Sequence, residues 1–455
     1  MIINILLAIL ILSVVIIAHE FGHFIVAKAN GVCVVEFSIG FGPRIFAFRV
    51  GDTDYCLKAL PFGGSCRMLG QEEYLMPNND ESAPDESELS EADKRSIEML
   101  KKYGKGATLD SKSVAARIAI LAAGPVFNFL FAIILSIILL GVGGYDPCVI
   151  TDVEQGTPAY EAGLQEGDLI TSVNGRLMYF SREYDFYRLY HEQNTLDIHY
   201  KRDGHVEKAT VTPVAVNDKS YKIGVMLDDT LHVADVLDDS AAKTAGIRQN
   251  DKIISINDKE LTKSDQLIEL VRESEGESLK VVVERAGHNR TFELKPEIME
   301  TTAYKTGFYV NPEKTFATPA QTIGLAFADT GYRISTVVET LLGMGTGRVS
   351  MNNLSGPVGT VSTISSVVGE SRKEGALPVI LNMINIAIIL SANLGVMNLL
   401  PIPALDGGRL VIYIIEAIRG KPVSKKIENI ITFIGVVFLL VLMGYILIKD
   451  IVVLF

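Results

Sequence analysis

The chain has no tryptophan, only four cysteines and no excess of positive charge. Without tryptophan, any anchoring at a membrane–water interface falls to Tyr, Lys and Arg. Cys33, Cys56, Cys66 and Cys148 form no C-x-x-C pair, so they propose no metal site of their own, and no structural disulfide is expected. A net charge of −12 argues against a nucleic-acid partner. A basic n-region is also missing ahead of the first apolar run, which is longer than a usual signal-peptide core. Ala27-Lys28-Ala29 is therefore not read as a cleavage site, and the run is read as a retained transmembrane helix.

What is present is apolar length. Hydrophobic residues make up 48% of 455 positions against 21% charged, so charge has to be segregated from spans. Apolar runs over about 3–27, 118–142, 377–399 and 427–448 predict four transmembrane helices. The first contains His19-Glu20-Phe21-Gly22-His23, an H-E-x-x-H signature. On a helix the two histidines project from one face and can share a metal, with Glu20 beside them to handle a proton. Ionisable groups inside a span are costly and mark function. The alternatives are a soluble zincin-like helix or two core histidines with satisfied partners.

Residues 31–70 read as short strands joined by a hairpin around Gly51-Asp52-Thr53-Asp54. Such an edge can take an extended peptide by strand addition, or the hairpin can simply lie amphipathically on a membrane. Residues 71–93 are an acidic, mobile-looking insertion, followed to 116 by a basic stretch. The second span, 117–143, opens on Ala123-Gly-Pro-Val-Phe-Asn128. There Asn128 reads as an interhelical hydrogen-bonding residue before a catalytic one.

The middle repeats itself. Val153-x-x-Gly-Thr-Pro-Ala-x-x-Ala-Gly-Leu-x-x-Gly-Asp168 recurs, without gaps, as Val236-x-x-Asp-Ser-Ala-Ala-x-x-Ala-Gly-Ile-x-x-Asn-Asp251, an offset of 83. Each copy suits a strand–helix–strand module; 146–228 and 229–300 are the expected bounds. Residues 315–375 form an external amphipathic segment and connector, expected along the membrane surface. The third span, 376–408, carries Asn385 and Asn393 and ends in Asn398-Leu-Leu-Pro-Ile-Pro-Ala-Leu-Asp406-Gly. Pro401 and Pro403 break it, and an acid at such a break either binds a metal or turns the next helix in solvent. The fourth span is 427–450. Lys and Arg cluster after span one and between spans three and four, which puts those loops in the cytoplasm, the repeats outside and the His/Asp cluster nearer the cytoplasmic face.

These residues resemble the site-2 protease family of intramembrane zinc metalloproteases, closest to its bacterial regulator-of-sigma-E subgroup. The resemblance rests on H-E-F-G-H at 19–23, F-S-I-G-F-G at 37–42, L-P-F-G-G at 60–64, A-G-P-x-x-N at 123–128, L-S-G-P at 354–357 and N-L-L-P-x-P-x-L-D-G at 398–407. It implies a polytopic α-helical membrane protein with four transmembrane helices, a membrane-associated β-hairpin and two inserted α+β PDZ-like domains. It further implies that His19, His23 and Asp406 bind Zn2+, that Glu20 is the catalytic base, and that Asn398, with Asn393, steadies the substrate backbone. The strands near 44–60 match the family's hairpin that presents substrate. The implied partners are the lipid bilayer of the bacterial cytoplasmic membrane and single-span membrane proteins, either anti-sigma factors or signal peptide remnants. The PDZ pair either filters substrates by bulk or binds peptides. Two rival readings are a membrane-anchored PDZ scaffold with a vestigial metal site, and a transporter. The intact His-Glu-His with Asp406 opposes the first, and the lack of an inverted repeat opposes the second.

Overall fold

The computed structural model describes residues 2–70, 90–228, 230–349 and 356–454. The acidic stretch expected at 71–93 lies outside the described residues up to position 89. Two compact units result, Met1–Asp146 with Glu313–Phe455, and Pro147–Pro312.

The first unit begins with α1 (Ile2–Ala29), β1 (Val34–Val50), β2 (Thr53–Met68), α2 (Glu91–Tyr103) and α3 (Val114–Gly143). The register folds β1 and β2 back on themselves. Residues 44–50 pair antiparallel with 53–58, while 36–39 run antiparallel to 64–67 and, on their other side, alongside 54–57 in the same direction. The stretch 64–67 is thus an outer strand. Beneath the sheet, buried Glu36 takes ion pairs from Arg44 and from Lys58, the latter at 2.8 Å. The far end exposes Phe41, Ile45, Phe46, Phe48 and Leu60.

The second unit holds β3 (Asp152–Val153), α4 (Pro158–Glu161), β4 (Leu169–Val173), β5 (Arg176–Leu177), α5 (Ser181–Tyr190), β6 (Leu196–Arg202), β7 (His205–Val211), β8 (Val214–Lys222) and β9 (Val225–Leu227). It continues with β10 (Val233–Val236), α6 (Ala241–Ala245), β11 (Lys252–Ile256), β12 (Lys259–Glu260), α7 (Asp265–Glu273), β13 (Leu279–Arg285), β14 (His288–Leu294), β15 (Glu297–Lys305) and β16 (Phe308–Tyr309). Each repeat builds a four-stranded sheet, ordered β5-β4-β6-β7 and β12-β11-β13-β14. The repeated aspartate does the same job twice. Asp168 accepts from Arg202 Nε at 2.7 Å, and Asp251 from Arg285 Nε at 2.6 Å; each arginine also donates to the Ala-Gly carbonyl, of Gly163 or Gly246.

The expected boundaries at 228/229 and 300 do not hold. β9 pairs with β10, but its counterpart β16 pairs with β3. Leu237 and Ala242 N–H groups donate to Gly224 and Ile223 carbonyls, as Glu154 and Ala159 donate to Gly307 and Thr306. The first core therefore runs from Cys148 to Val211 and closes with Phe308 and Val310, while the second runs from Ile223 to Leu294. The second module is inserted into the first, and β8 pairs antiparallel with β15 from Val214↔Lys305 to Lys222↔Glu297. The signal was in the sequence: Tyr221-Lys-Ile-Gly224 and Tyr304-Lys-Thr-Gly307 continue the same offset of 83.

The first unit resumes with α8 (Pro319–Gly345), α9 (Pro357–Glu374), α10 (Ala376–Leu399), α11 (Asp406–Arg419) and α12 (Lys425–Leu454). Among the described residues, four helices are long and apolar enough to cross a membrane: Leu6–Ala29, Val114–Gly143, Ala376–Leu399 and Lys426–Asp450. The segment expected on a membrane surface behaves otherwise. α8 runs antiparallel along α3, with Thr322 by Gly141 and Ser136 Oγ donating to Asp329 at 2.7 Å. Arg333 donates to Asp329 at 3.1 Å and to Asn385 of α10 at 2.7 Å. Asp329 and Arg333, two of the charges that interrupt its apolar pattern, satisfy each other inside the bundle, which is how buried charge is tolerated.

The third span is also shorter than expected. α10 ends at Leu399, the two prolines break the chain, and Asp406 opens α11 as a separate helix. α11 packs on α3 through Tyr413 under the Arg117 guanidinium and through a buried Arg117–Glu416 ion pair at 2.8 Å.

Candidate metal centre

Helical spacing brings His19 and His23 to one face of α1, one turn apart. Both rings are buried, and their Nε2 atoms lie 3.2 Å from each other. Asp406, carried in by the break after α10, sets Oδ2 3.1 Å from His19 Nε2 and 3.2 Å from His23 Nε2. Its place as the first residue of α11 also suits a carboxylate, since a helix N-terminus favours negative charge. Burial alone would raise the Asp406 carboxyl, but the two imidazoles beside it, His19 first, hold it well below the usual carboxylate range.

The three atoms form a near-equilateral triangle. Tetrahedral zinc with bonds of about 2.0–2.2 Å places neighbouring ligand atoms roughly 3.3–3.6 Å apart, so a small relaxation of this triangle accommodates the ion. Two imidazoles and one carboxylate are donors that could hold a metal ion, and as zinc ligands they would leave one tetrahedral position open. His23 is held ready by Nδ1 against the Ile120 carbonyl at 2.8 Å, which leaves Nε2 its lone pair. α3 approaches with Gly124, where an added Cβ would collide with His23 and come within 2.7 Å of His19 Cε1.

The triangle opens on a cavity of about 530 Å3 whose lining includes Glu20, Cys66, Asn398 and Arg409. Glu20 Oε2 accepts from the Cys66 N–H at 2.8 Å, so the outer strand of the β1–β2 sheet touches the cavity directly. Burial, helped by the Glu20 carboxylate, pushes the Cys66 thiol up, so it stays a neutral group beside the site. By span arithmetic, at about 1.5 Å per residue, His19 and His23 lie roughly 15 and 9 Å from the Ala29 end of α1.

Of the residues singled out in the sequence, His19, Glu20, His23, Asp406 and Asn398 converge. Asn393 does not: it is half-buried on α10 and absent from the cavity lining. At 100° per residue it stands about 140° round the helix from Asn398. The stretch 44–60 was expected to present substrate, but the strand at the cavity is 64–67. Two residues acquire places the sequence did not show. Asn128 Nδ2 lies 3.1 Å from His19 Nδ1. Arg409, one turn after Asp406, lines the cavity with no hydrogen bond or ion pair to its guanidinium among the described residues.

Comparison with known proteins matches residues 7–442 to peptidase family M50. Similar relatives include the regulator of sigma-E protease RseP of Salmonella typhimurium, 30% identical over 480 residues and 98% of each chain. The zinc metalloprotease RasP of Bacillus licheniformis is 29% identical over 463 residues and 97% of each chain. RseP of Escherichia coli is 29% identical over 476 residues and 96% of each chain. Among solved structures, the crystal structure of the HtrA3 PDZ domain bound to a phage-derived ligand is similar at 20% identity over 19% of this chain and 93% of its own, with a TM-score of 0.18.

Proposed function

The chain belongs to peptidase family M50 and is a zinc metalloprotease, and from that premise we propose that His19, His23 and Asp406 hold the zinc and that Glu20 is the catalytic base. The observation that carries this is the triangle of ligand atoms 3.1–3.2 Å apart, with Glu20 on the wall of the same cavity. Bound zinc supplies Lewis acidity, polarising a carbonyl oxygen and making water a nucleophile near neutral pH. Glu20 accepts the proton from the attacking water on a carboxylate oxygen and returns it to the leaving amine. The Cys66 N–H keeps that carboxylate turned toward the cavity. Asn398 and Arg409 add side-chain hydrogen-bond donors for substrate carbonyls.

The substrate is a transmembrane segment of a single-span membrane protein, of the class of anti-sigma factors or remnant signal peptides. A helix must unwind before its carbonyls can be attacked. The outer strand at 64–67 offers backbone groups that offset the bonds lost, by strand addition. The two nested modules are PDZ-like and act as a substrate filter that excludes bulky external domains. The loops rich in Lys and Arg are cytoplasmic, so the site lies near the cytoplasmic side of the bacterial inner membrane and the modules lie outside.

The test is cleavage of a tagged single-span substrate, already trimmed outside, by the purified wild type and by Glu20→Gln, with zinc measured in both. The expected result is equal zinc and a loss of about 10²–10⁴-fold in cleavage rate for the variant. Full activity with glutamine would remove Glu20 from the chemistry, and zinc-free wild type would remove the metal triangle.

A further inference from the structure

Asn128 has no exposed surface and faces a histidine that must present one particular nitrogen. Its backbone carbonyl accepts from Ser391 Oγ of α10 at 2.8 Å, which pins α3 at this level. Its side-chain Oδ1 is buried without any hydrogen-bond partner, an unfavourable state for an amide oxygen.

The two histidines differ here. The Ile120 carbonyl can only accept, so His23 carries its proton on Nδ1 and keeps the Nε2 lone pair. His19 faces an amide, which can either donate or accept. With Nδ2 toward it, Nδ1 is the acceptor and the proton sits on Nε2, donated to Asp406 Oδ2 at 3.1 Å. In that form Nε2 cannot ligate, because a metal needs its lone pair. A half-turn of the amide about Cβ–Cγ brings Oδ1 to the ring. The oxygen then accepts from Nδ1–H, and Nε2 is freed toward Asp406 and His23.

We propose that Asn128 is the positioning residue of His19: its amide donates to the metal-free ring and, turned over, accepts from the metal-loaded one. This rests on the metal-site reading above. The same group thereby satisfies both tautomers without moving a helix. An aspartate at 128 offers only an acceptor and favours the ligating tautomer. A leucine of similar volume offers nothing.

The experiment is zinc affinity by chelator competition on the full-length chain in detergent, for wild type, Asn128→Asp and Asn128→Leu. Rescue by aspartate distinguishes positioning from packing. The aspartate variant is expected to bind zinc at least as tightly as wild type, and the leucine variant about 10–100-fold more weakly. Equal affinity for wild type and leucine, or an equal loss in both variants, overturns the proposal; a wild type that binds no zinc overturns the metal site itself. Nitrogen-15 NMR of the histidine rings in wild type needs no variant to fold. A proton on His19 Nε2 without metal and on Nδ1 with zinc supports the proposal, and the same nitrogen protonated in both states overturns it.

Discussion

Gly124 is where α3 yields space to the two imidazoles of α1. A Cβ there would run into His23 Nε2 and crowd His19, so Gly124→Ala forces either the rings or the helices apart. Overpacking of this kind costs about 1–3 kcal/mol, which at this position falls on the ligand geometry. Zinc binding is expected to weaken about tenfold, read by chelator competition; wild-type affinity in the alanine variant would mean that α3 shifts freely. At this scale much of the site is legible in the sequence. A four-residue interval on a helix fixes one face, which gives His19 and His23 together. Asp406 is legible because an acid after a broken span needs a partner. Asn128 is legible as a hydrogen-bonding residue between helices, but not its partner, which lies 109 positions away. Arg409 reads in the sequence as one of the basic residues of the loop after the third span, although three residues from Asp406 on one helix makes them neighbours.

Glu36 shows what holds an element in register. The β1–β2 sheet folds each long strand on itself, and the buried carboxylate gathers Arg44 and Lys58 from the two stretches that must meet. Burial works to raise this carboxyl, but hydrogen bonds from Lys58 and Arg44 outweigh it and lower it. A depressed folded pKa means that the ion pairs contribute fully above about pH 4.3, the unfolded value, and that the contribution is lost as pH falls through the folded pKa. Thermal unfolding of wild type against Glu36→Gln should show a gap of about 2–3 kcal/mol at neutral pH that narrows only in acid. A gap that widened on acidification would contradict the ion-pair account. The strands themselves were readable from alternation and turn residues, but the refolded register was not, because pairing depends on which face a charge must be buried against. The place of α8 is hidden from its sequence for a related reason. Periodicity registers Asp329 and Arg333 as polar interruptions, yet it carries no information that Ser136 and Asn385 receive them.

The second unit is built so that removal of one module depends on where the cut falls. The internal repeat announces two similar modules, but its strongest stretch stops short of the strand that closes each one, so it does not mark their bounds. The strand that completes the first core, with Phe308 and Val310, comes after the whole second module. A deletion of 147–300 therefore strands apolar residues that belong to what was removed, whereas deletion of 147–312 removes one compact unit. Val214 and Lys305 face each other in register, about 5 Å apart at Cα, so a two-residue turn replacing 215–304 closes a hairpin and leaves the first module complete. That spliced variant should retain protection from hydrogen exchange across 148–211, and a chain carrying Phe308→Asp should lose it, despite the long sequence separation. If the modules filter substrates by bulk, deletion of 147–312 admits single-span proteins with untrimmed external domains to cleavage, and the splice admits them partially. Unchanged selectivity in both, with zinc content and cleavage of trimmed substrate intact, would leave the modules a role other than exclusion.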